Sequence, residues 1–238
     1  MELDRLDWWG RAQVPCPARR GSGLGAHVLA ASLYYMGRPS KFSSNQILDT
    51  ASRLLACDGP GSLSVASIAA SLRAPSGSIY HRFGSRDILV AELWLRAVER
   101  FHQSLTPWLE ITNGFDAIRA IAVGVVSWTR DNPLEAHLLL LHRSSDLLHD
   151  GWPPELSERN LAQRARSQAL VESLCQRVGA TTPGECRRVV FAAVDVPYAA
   201  VRSYLSSGIP PPDDLIDLVA DAVNGVLTPF KQPTKGKT

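Results

Sequence analysis

Residues 74–89 have the sequence Ala-Pro-Ser-Gly-Ser-Ile-Tyr-His-Arg-Phe-Gly-Ser-Arg-Asp-Ile-Leu, and this stretch decides the fold of the 238-residue chain. Its pattern predicts a short helix that Ser76 starts, a break at Gly84 and a second helix that Ser85 caps. Ile79 and Phe83 lie four residues apart on the short helix, so they share one face. We expect that face to pack inward.

The opposite face of the short helix is small, polar or cationic and has no carboxylate. Its residues are Ser76, Gly77, Ser78 and His81, flanked by Tyr80 and Arg82. Small residues let the helix backbone approach a ligand closely, and tyrosine, histidine and arginine side chains can reach phosphates on either side. The pattern is typical of a helix that enters the major groove of double-stranded DNA.

Residues 64–72 predict another short helix just before this one. Its inward stripe consists of Val65, Ile68, Ala69 and Leu72. Only residues 73–75 separate the two helices, and Pro75 disfavours helical backbone at Ala74. Two short helices joined by three or four residues describe a helix-turn-helix unit. Ser64 and Val65, at the start of the first helix, are therefore also candidate DNA contacts.

Residues 43–93 resemble the TetR family of bacterial transcriptional regulators. The resemblance rests on the Ser-started helix with Ile68-Ala69, followed by the pattern Ser76-x-Ser-Ile79-Tyr80-x-x-Phe83-x-Ser85-Arg86-x-x-Leu89. Pro75 and Gly77 replace the valine and the longer side chain that the family often has there. Arg86 replaces a lysine and keeps its charge, so the resemblance implies that Arg86 contacts a DNA phosphate.

A third helix and a basic arm precede this unit. Ser43 or Ser44 is predicted to cap a helix that runs to Cys57, with an apolar stripe at Ile47, Leu48, Ala51, Leu54 and Leu55. The resemblance implies that Arg38 and Lys41 form an arm that contacts phosphates or the adjacent minor groove, and a solvated linker is the alternative. We expect residues 1–40 to be a poorly ordered extension and residues 41–88 to form the DNA-binding domain.

Residues 89–230 are predicted to form an entirely helical second domain, and residues 231–238 a flexible tail. The long helix after Ser85 is expected to end at Pro107, and a later helix to kink at Pro197. No stretch alternates as a strand does, so the predicted fold class is all-α. Residues 189–200 and 215–226 form two late apolar helices. The resemblance implies that they pair two subunits as a homodimer, and the alternative is that they complete the core of one subunit.

Composition limits the classes of function. The formal net charge is only +2, so any nucleic-acid site must be a local patch rather than a generally basic surface. The cysteines lack the close spacing of a zinc site or redox motif, and no apolar run is long enough to cross a bilayer. These features indicate free thiols, no membrane association and a cytoplasmic location.

No residue set indicates catalysis or a bound metal. His137 and His142 are five apart, which is not a helical ligand spacing, and His149 lies further on, so we predict no metal and no cofactor. No nucleophile motif or Ser/His/Asp set is present, and we predict no enzyme activity. Trp128, His137, Asp195 and Tyr198 are candidates to line an effector pocket, and the alternative is a hydrogen-bonded core or a polar group of the dimer face.

Together these observations predict an N-terminal three-helix helix-turn-helix domain followed by a helical ligand-binding and dimerisation domain. The function implied by the resemblance is a repressor that binds a palindromic operator as a homodimer and releases it when a small-molecule effector binds. The alternative is a small-molecule-binding or scaffolding dimer that no longer reads DNA.

Overall fold

The computed structural model describes residues 42–231, and within that range it contains helices and no strand. The predicted all-α fold is thereby confirmed. Arg38 and Lys41 lie outside the described residues, as do the predicted N-terminal extension and the segment 232–238.

The first three helices form the predicted helix-turn-helix unit. They are α1 (Ser44–Asp58), α2 (Val65–Leu72) and α3 (Ser76–Phe83), with a short 3-10 turn at Pro60–Ser62. Ser43 caps α1 in a reciprocal capping box with Gln46, and Ser64 caps α2 by accepting a bond from the amide of Ser67. Helix α3 does begin at Ser76, but Pro75 occupies its N-cap position and makes no side-chain bond there.

Eight further helices follow within residues 84–231. They are α4 (Arg86–Leu109), α5 (Gly114–Asp131), α6 (Pro133–Leu141), α7 (Ser144–Leu147), α8 (Pro154–Arg177), α9 (Pro183–Val190), α10 (Val196–Ser207) and α11 (Leu215–Lys231). Ser85 caps α4 as predicted, by accepting a bond from the amide of Ile88. Arg159 of α8 bonds Glu92 at 2.8 Å and Glu99 at 3.0 Å, which holds α8 along α4. Among the described residues no helix combines the length and apolar character that a membrane span requires.

Two helices extend further than the sequence predicts. Helix α4 continues through Pro107 to Leu109, and α11 continues through Pro229 to Lys231. A proline near a helix end removes only one amide donor from the last turns. Trp108 and Phe230, which follow these prolines, pack on the second core, so burial offsets the lost hydrogen bond.

The predicted kink at Pro197 corresponds to a π-helical turn. Residues Phe191–Asp195 form this turn between α9 and α10, and the backbone stays helical at Val190 and Val196 on either side. Proline has no N–H for the bond to the preceding turn, and a π turn accommodates an extra residue where that ladder is interrupted. Residues 183–207 are therefore continuously helical.

Two apolar cores hold the molecule together, and the first joins the N-terminal unit to the body. It consists mainly of side chains from α1–α4, but it also contains Leu138 of α6, Leu147 and Leu148 around the end of α7, and Leu156 of α8. The second core lies among α4, α5, α6, α8 and the helical segments from α9 to α11, including the π turn. The boundary predicted at residue 88 thus falls inside one continuous core.

Candidate nucleic-acid interface

Helix α3 has one buried face and one exposed face, as predicted. Ile79 is 1% exposed and Phe83 is 7% exposed, and both belong to the first core. The side chain of Tyr80 on the other face is 51% exposed. Ser76, Gly77, Ser78 and His81 are exposed as well. The packing of α3 therefore presents the predicted polar face to solvent.

Gly77 leaves space in front of α3. A Cβ atom at Gly77 would meet no heavy atom within 4 Å, so packing inside the chain does not require glycine there. The hydroxyl of Ser78 donates to the carbonyl of Pro75 at 2.7 Å and lies close against the backbone. A first turn without long side chains lets the helix backbone approach a phosphate or a base edge closely.

The composition around α2 and α3 favours an anionic partner. From Gly59 to Arg86 the sequence contains no aspartate or glutamate. Arg82 is half-buried, and its Nη1 donates to Ser44 Oγ at 3.0 Å, which ties α3 to α1. The absence of carboxylates is confined to this stretch, in agreement with the small net charge of the whole chain.

Ser64 and Val65 serve mainly the structure of α2. The Ser64 hydroxyl accepts the amide of Ser67 at 3.0 Å and is hydrogen-bonded to the Ser67 hydroxyl at 2.7 Å. Val65 is 5% exposed, so its side chain is part of the first core and not of the exposed face. A branched apolar residue at the first helical position is buried because α2 packs on α1 and α3.

Arg86 lies where the sequence predicts a phosphate contact, but its guanidinium is already engaged. Its side chain is 20% exposed and contacts Asp87 and the carbonyls of Leu63 and Leu147. Burial alone would raise the pKa of Asp87, but hydrogen bonds from the Asp150 amide, Arg86 and the His149 amide outweigh it and lower that pKa. The phosphate contact stays a prediction, and the structure adds a role within the chain.

Arg73 is a candidate that the motif analysis missed. It lies in the turn between α2 and α3, where it is exposed, and it has a left-handed backbone with φ of 52°. A residue with a Cβ atom in this conformation costs about 1–2 kcal/mol relative to ordinary backbone, and glycine avoids that cost. The available sequence signal was a cation beside the predicted recognition helix. The exposed position of this cation beside α3 makes Arg73 a candidate contact for a DNA phosphate.

The variant Arg73→Gly separates these two effects. We expect the free protein to be slightly more stable, by less than about 1 kcal/mol, because relief of strain exceeds the added entropy of the unfolded chain. DNA binding should weaken. The plot of the logarithm of the association constant against log salt should become shallower by about 0.9, because one phosphate contact is lost. Thermal unfolding and fluorescence anisotropy over a salt series measure both quantities. Arg73→Lys should keep the slope, and an unchanged slope in Arg73→Gly would remove Arg73 from the interface.

The structure gives the neighbours of the four residues that were predicted to line an effector pocket. Trp128 packs edge-on against Phe101 with ring centroids 4.9 Å apart, and His137 lies against His142 at 5.2 Å. Burial, and then the nearby His142, lowers the pKa of His137 to about 4. The hydroxyl of Tyr198 donates to the carbonyl of Leu140 at 2.7 Å, and burial raises the pKa of Tyr198. Asp195 is exposed on the π turn.

A groove of about 240 Å³ lies elsewhere, between α4 and α8. It is lined by His102, Leu105, Leu109, Arg166, Ala169, Leu170, Ser173 and Arg177. His102 is hydrogen-bonded through Nδ1 to Gln163 Oε1 at 2.8 Å and through Nε2 to Ser167 Oγ at 2.9 Å. Burial lowers the pKa of His102, although the Gln163 bond opposes this, so the imidazole is neutral at pH 7. The sequence offered no local signal for this groove because its walls lie about 60 residues apart.

Arg177 and Arg166 differ in their availability. Arg177 Nη1 donates to the carbonyls of Leu109 at 3.0 Å and Ile111 at 3.1 Å, so it closes the end of α4. Arg166 is exposed at the rim of the groove, close enough to lower the pKa of His102 further by charge repulsion. The groove thus combines an apolar floor with a cationic rim.

Comparisons with known proteins agree with the geometry of the N-terminal unit. Residues 47–93 match the family model described as bacterial regulatory proteins, tetR family. No curated protein matches the chain significantly. The predicted resemblance is thereby confirmed for the segment that carries α2 and α3.

Solved structures extend the likeness of fold to most of the chain. FadR of Bacillus subtilis, in complex with stearoyl-CoA, is 14% identical with a TM-score of 0.59, covering 78% of this chain and 98% of that chain. A TetR-like regulator from Rhodococcus sp. RHA1 is 18% identical with a TM-score of 0.57, and the match covers 76% of this chain and 91% of that chain. A tetR family regulator from Shewanella sp. PV-4 is 19% identical with a TM-score of 0.58, and the match covers 81% of this chain and 96% of that chain. At these identities the likeness establishes the fold.

Proposed function

We propose that this chain, which has a tetR-type N-terminal segment on a TetR-like helical fold, is a DNA-binding transcriptional regulator that acts as a ligand-responsive repressor. The observation that carries the proposal is the two-faced packing of α3. Ile79 and Phe83 hold the helix in the first core, while a face without carboxylates is exposed. A helix held in this way can enter a major groove without unfolding any other part of the protein.

We propose a homodimer through the outer faces of the last helices. Phe191 on the π turn is 50% exposed, and Leu218 on α11 is 61% exposed. Ala222 and Gly225 continue the exposed face of α11, and a Cβ atom at Gly225 would meet nothing within 4 Å. Arg188 Nη1 bonds the carbonyl of Val226 at 3.1 Å, so α9 and α11 form one surface. Small and apolar residues in this arrangement suit close packing against a second copy.

A dimer explains how one short helix becomes a useful DNA-binding element. A single recognition helix buries little surface and binds weakly. Two copies on half-sites about 34 Å apart make the second contact intramolecular and multiply the affinity. The corresponding operator is palindromic because the dimer is two-fold symmetric.

The effector that best suits the groove between α4 and α8 is an amphiphilic anion. Leu105, Leu109 and Leu170 supply an apolar floor, and Arg166 supplies a cation at the rim. The similar FadR structure contains stearoyl-CoA, which is also an amphiphilic anion. An effector that prefers the released state by only about 1.4 kcal/mol weakens operator binding tenfold.

The variant Arg166→Gln tests the charge of the effector. A charge-assisted bond at an exposed rim contributes about 1 kcal/mol, so we expect about fivefold weaker binding of palmitate by isothermal titration calorimetry. Hexadecanol, which has the same chain without the charge, should bind wild type and variant alike. Arg164→Gln, two residues away on α8, is the matched control. Equal affinity of wild type for palmitate and hexadecanol would contradict an anionic effector.

The regulator function itself is tested by a gel shift with DNA that flanks the gene of this protein. We expect a retarded band at moderate salt, and footprinting should protect two half-sites about one helical turn apart. Selection of bound fragments from genomic DNA would then identify the operator. A dimer that does not read DNA would give no retarded band in either experiment, and that result would overturn the proposal.

A further inference from the structure

Arg86 and Asp87, the first two residues of α4, connect this helix to two other segments of the chain. Arg86 Nε donates to the carbonyl of Leu63 at 2.6 Å, and its Nη1 donates to the carbonyl of Leu147 at 2.7 Å. The same Nη1 contacts Asp87 Oδ1 at 2.6 Å. Asp87 Oδ2 accepts the amides of His149 and Asp150, each at 3.0 Å. We refer to this set of bonds as the α4 clamp.

The two segments lie in different parts of the molecule. Leu63 immediately precedes Ser64, which caps α2, so one end of the clamp holds the start of the helix-turn-helix. Leu147 is the last residue of α7, and His149 and Asp150 follow it in the loop before α8. The clamp therefore links a loop of the body to the helix-turn-helix through the first turn of α4.

The clamp depends on the side chains of Arg86 and Asp87 alone, because their partners outside the pair are backbone groups. Arg86 is 20% exposed and Asp87 is 14% exposed, so water competes weakly for these bonds. One guanidinium reaches two carbonyls and a carboxylate, which a lysine ammonium on its flexible stem cannot match in geometry. Bonds between charged and neutral groups at such distances are stronger than ordinary hydrogen bonds.

We propose that Arg86 and Asp87 are positioning residues, which hold α2 and α3 in the orientation that binds DNA by fixing the start of α4 to the loop after α7. This inference rests on the proposed function, because it concerns how that function is controlled. Movement of the α7 loop changes the helix-turn-helix directly through these bonds. The first core also joins the two parts, and the clamp adds a polar, directional connection at Arg86 and Asp87 to this apolar packing.

A phosphate contact and the clamp predict opposite results for the same substitutions. If Arg86 acted mainly on a phosphate, Asp87→Asn would remove a neighbouring negative charge and strengthen DNA binding. A lysine at position 86 would also retain binding, since ammonium groups bind phosphates well. If Arg86 acts through the clamp, both variants weaken binding, and the slope of log K against log salt stays unchanged because no phosphate contact is lost.

The experiment measures operator binding of the full chain by fluorescence anisotropy over a salt series. We expect Asp87→Asn and Arg86→Lys each to lower affinity about tenfold, with the slope of wild type. Asp58→Asn, an exposed carboxylate at the end of α1, changes the same charge without touching the clamp and is the matched control. Stronger or unchanged binding by Asp87→Asn would overturn the inference.

Hydrogen exchange provides a second measurement that does not need DNA. The amides of His149 and Asp150 should be protected in wild type and exchange faster in Asp87→Asn, while exchange in the second core stays the same. Residues 63–68 should also exchange faster in the variant, because the α2 end of the clamp loosens. Unchanged exchange in both segments would overturn the clamp. If wild type fails to bind any DNA, the proposed function fails, and the exchange result still decides whether the clamp exists.

Discussion

Leu218→Arg is expected to convert the protein into a monomer and to lower its affinity for the operator about 10²- to 10⁴-fold. Leu218 lies on the outer face of α11 and is 61% exposed in the single chain, and Ala222 and Gly225 continue the same exposed face. In a two-fold dimer each substitution occurs twice across one interface. Two arginines then replace two leucines, so apolar burial is lost and like charges face each other.

The loss of affinity follows from avidity and not from any change at the DNA face. With the dimer broken, each recognition helix binds its half-site alone, and the gain from linking two sites disappears. Sedimentation or light scattering gives the mass, and fluorescence anisotropy gives the affinity. Leu161→Arg on α8, where the leucine is 63% exposed, is the matched control and should change neither quantity. A dimer that persists in Leu218→Arg would exclude this surface as the interface.

Gly124→Ala is expected to destabilise the protein by about 1–3 kcal/mol. A Cβ atom at this position on α5 would overlap the indole ring of Trp108 on α4, with Cε3 only 2.9 Å away. Overpacking of a core by one methyl group costs about 1–3 kcal/mol, because rigid neighbours must leave their rotamers. Alanine is a better helix former than glycine by about 0.5–1 kcal/mol, which offsets a part of this cost.

Urea unfolding at one fixed protein concentration measures the effect, since dimerisation adds to apparent stability. Gly77→Ala is the control, because its new Cβ atom would meet nothing within 4 Å and should not lower stability. Trp108→Phe removes the part of the indole that the methyl group meets, so Gly124→Ala should cost less in that background. Equal costs in both backgrounds would show that the contact with Trp108 is not the cause.

The DNA-binding unit was predictable from sequence because its signals are local. The serine caps at Ser43, Ser64 and Ser85 mark helix starts, and the four-residue spacing of Ile79 and Phe83 identifies the buried face of α3. Each of these features needs only the residues of one or two turns. The exposure of the opposite face follows from the same periodicity.

Features that depend on distant segments were not predictable in this way. The partners of Arg86 are backbone carbonyls 23 and 61 residues away, and backbone groups leave no mark in the sequence. Helix α4 continues past Pro107 because Trp108 packs against the second core. The periodicity of residues within α4 cannot reveal this contact. The groove between α4 and α8 is likewise formed by segments about 60 residues apart, so no local pattern marks it. The effector pocket at Trp128, His137, Asp195 and Tyr198 stays a prediction.

The shared first core has a consequence for the exchange of the N-terminal unit between proteins of this fold. Leu138, Leu147, Leu148 and Leu156 of the body complete the apolar interior of the N-terminal unit. A graft that exchanges residues 42–93 for those of a relative would place foreign side chains against these four leucines. At 14–19% identity we expect the grafted side chains to pack poorly against these leucines, so the exchange should destabilise the chain more than point changes on the exposed face of α3.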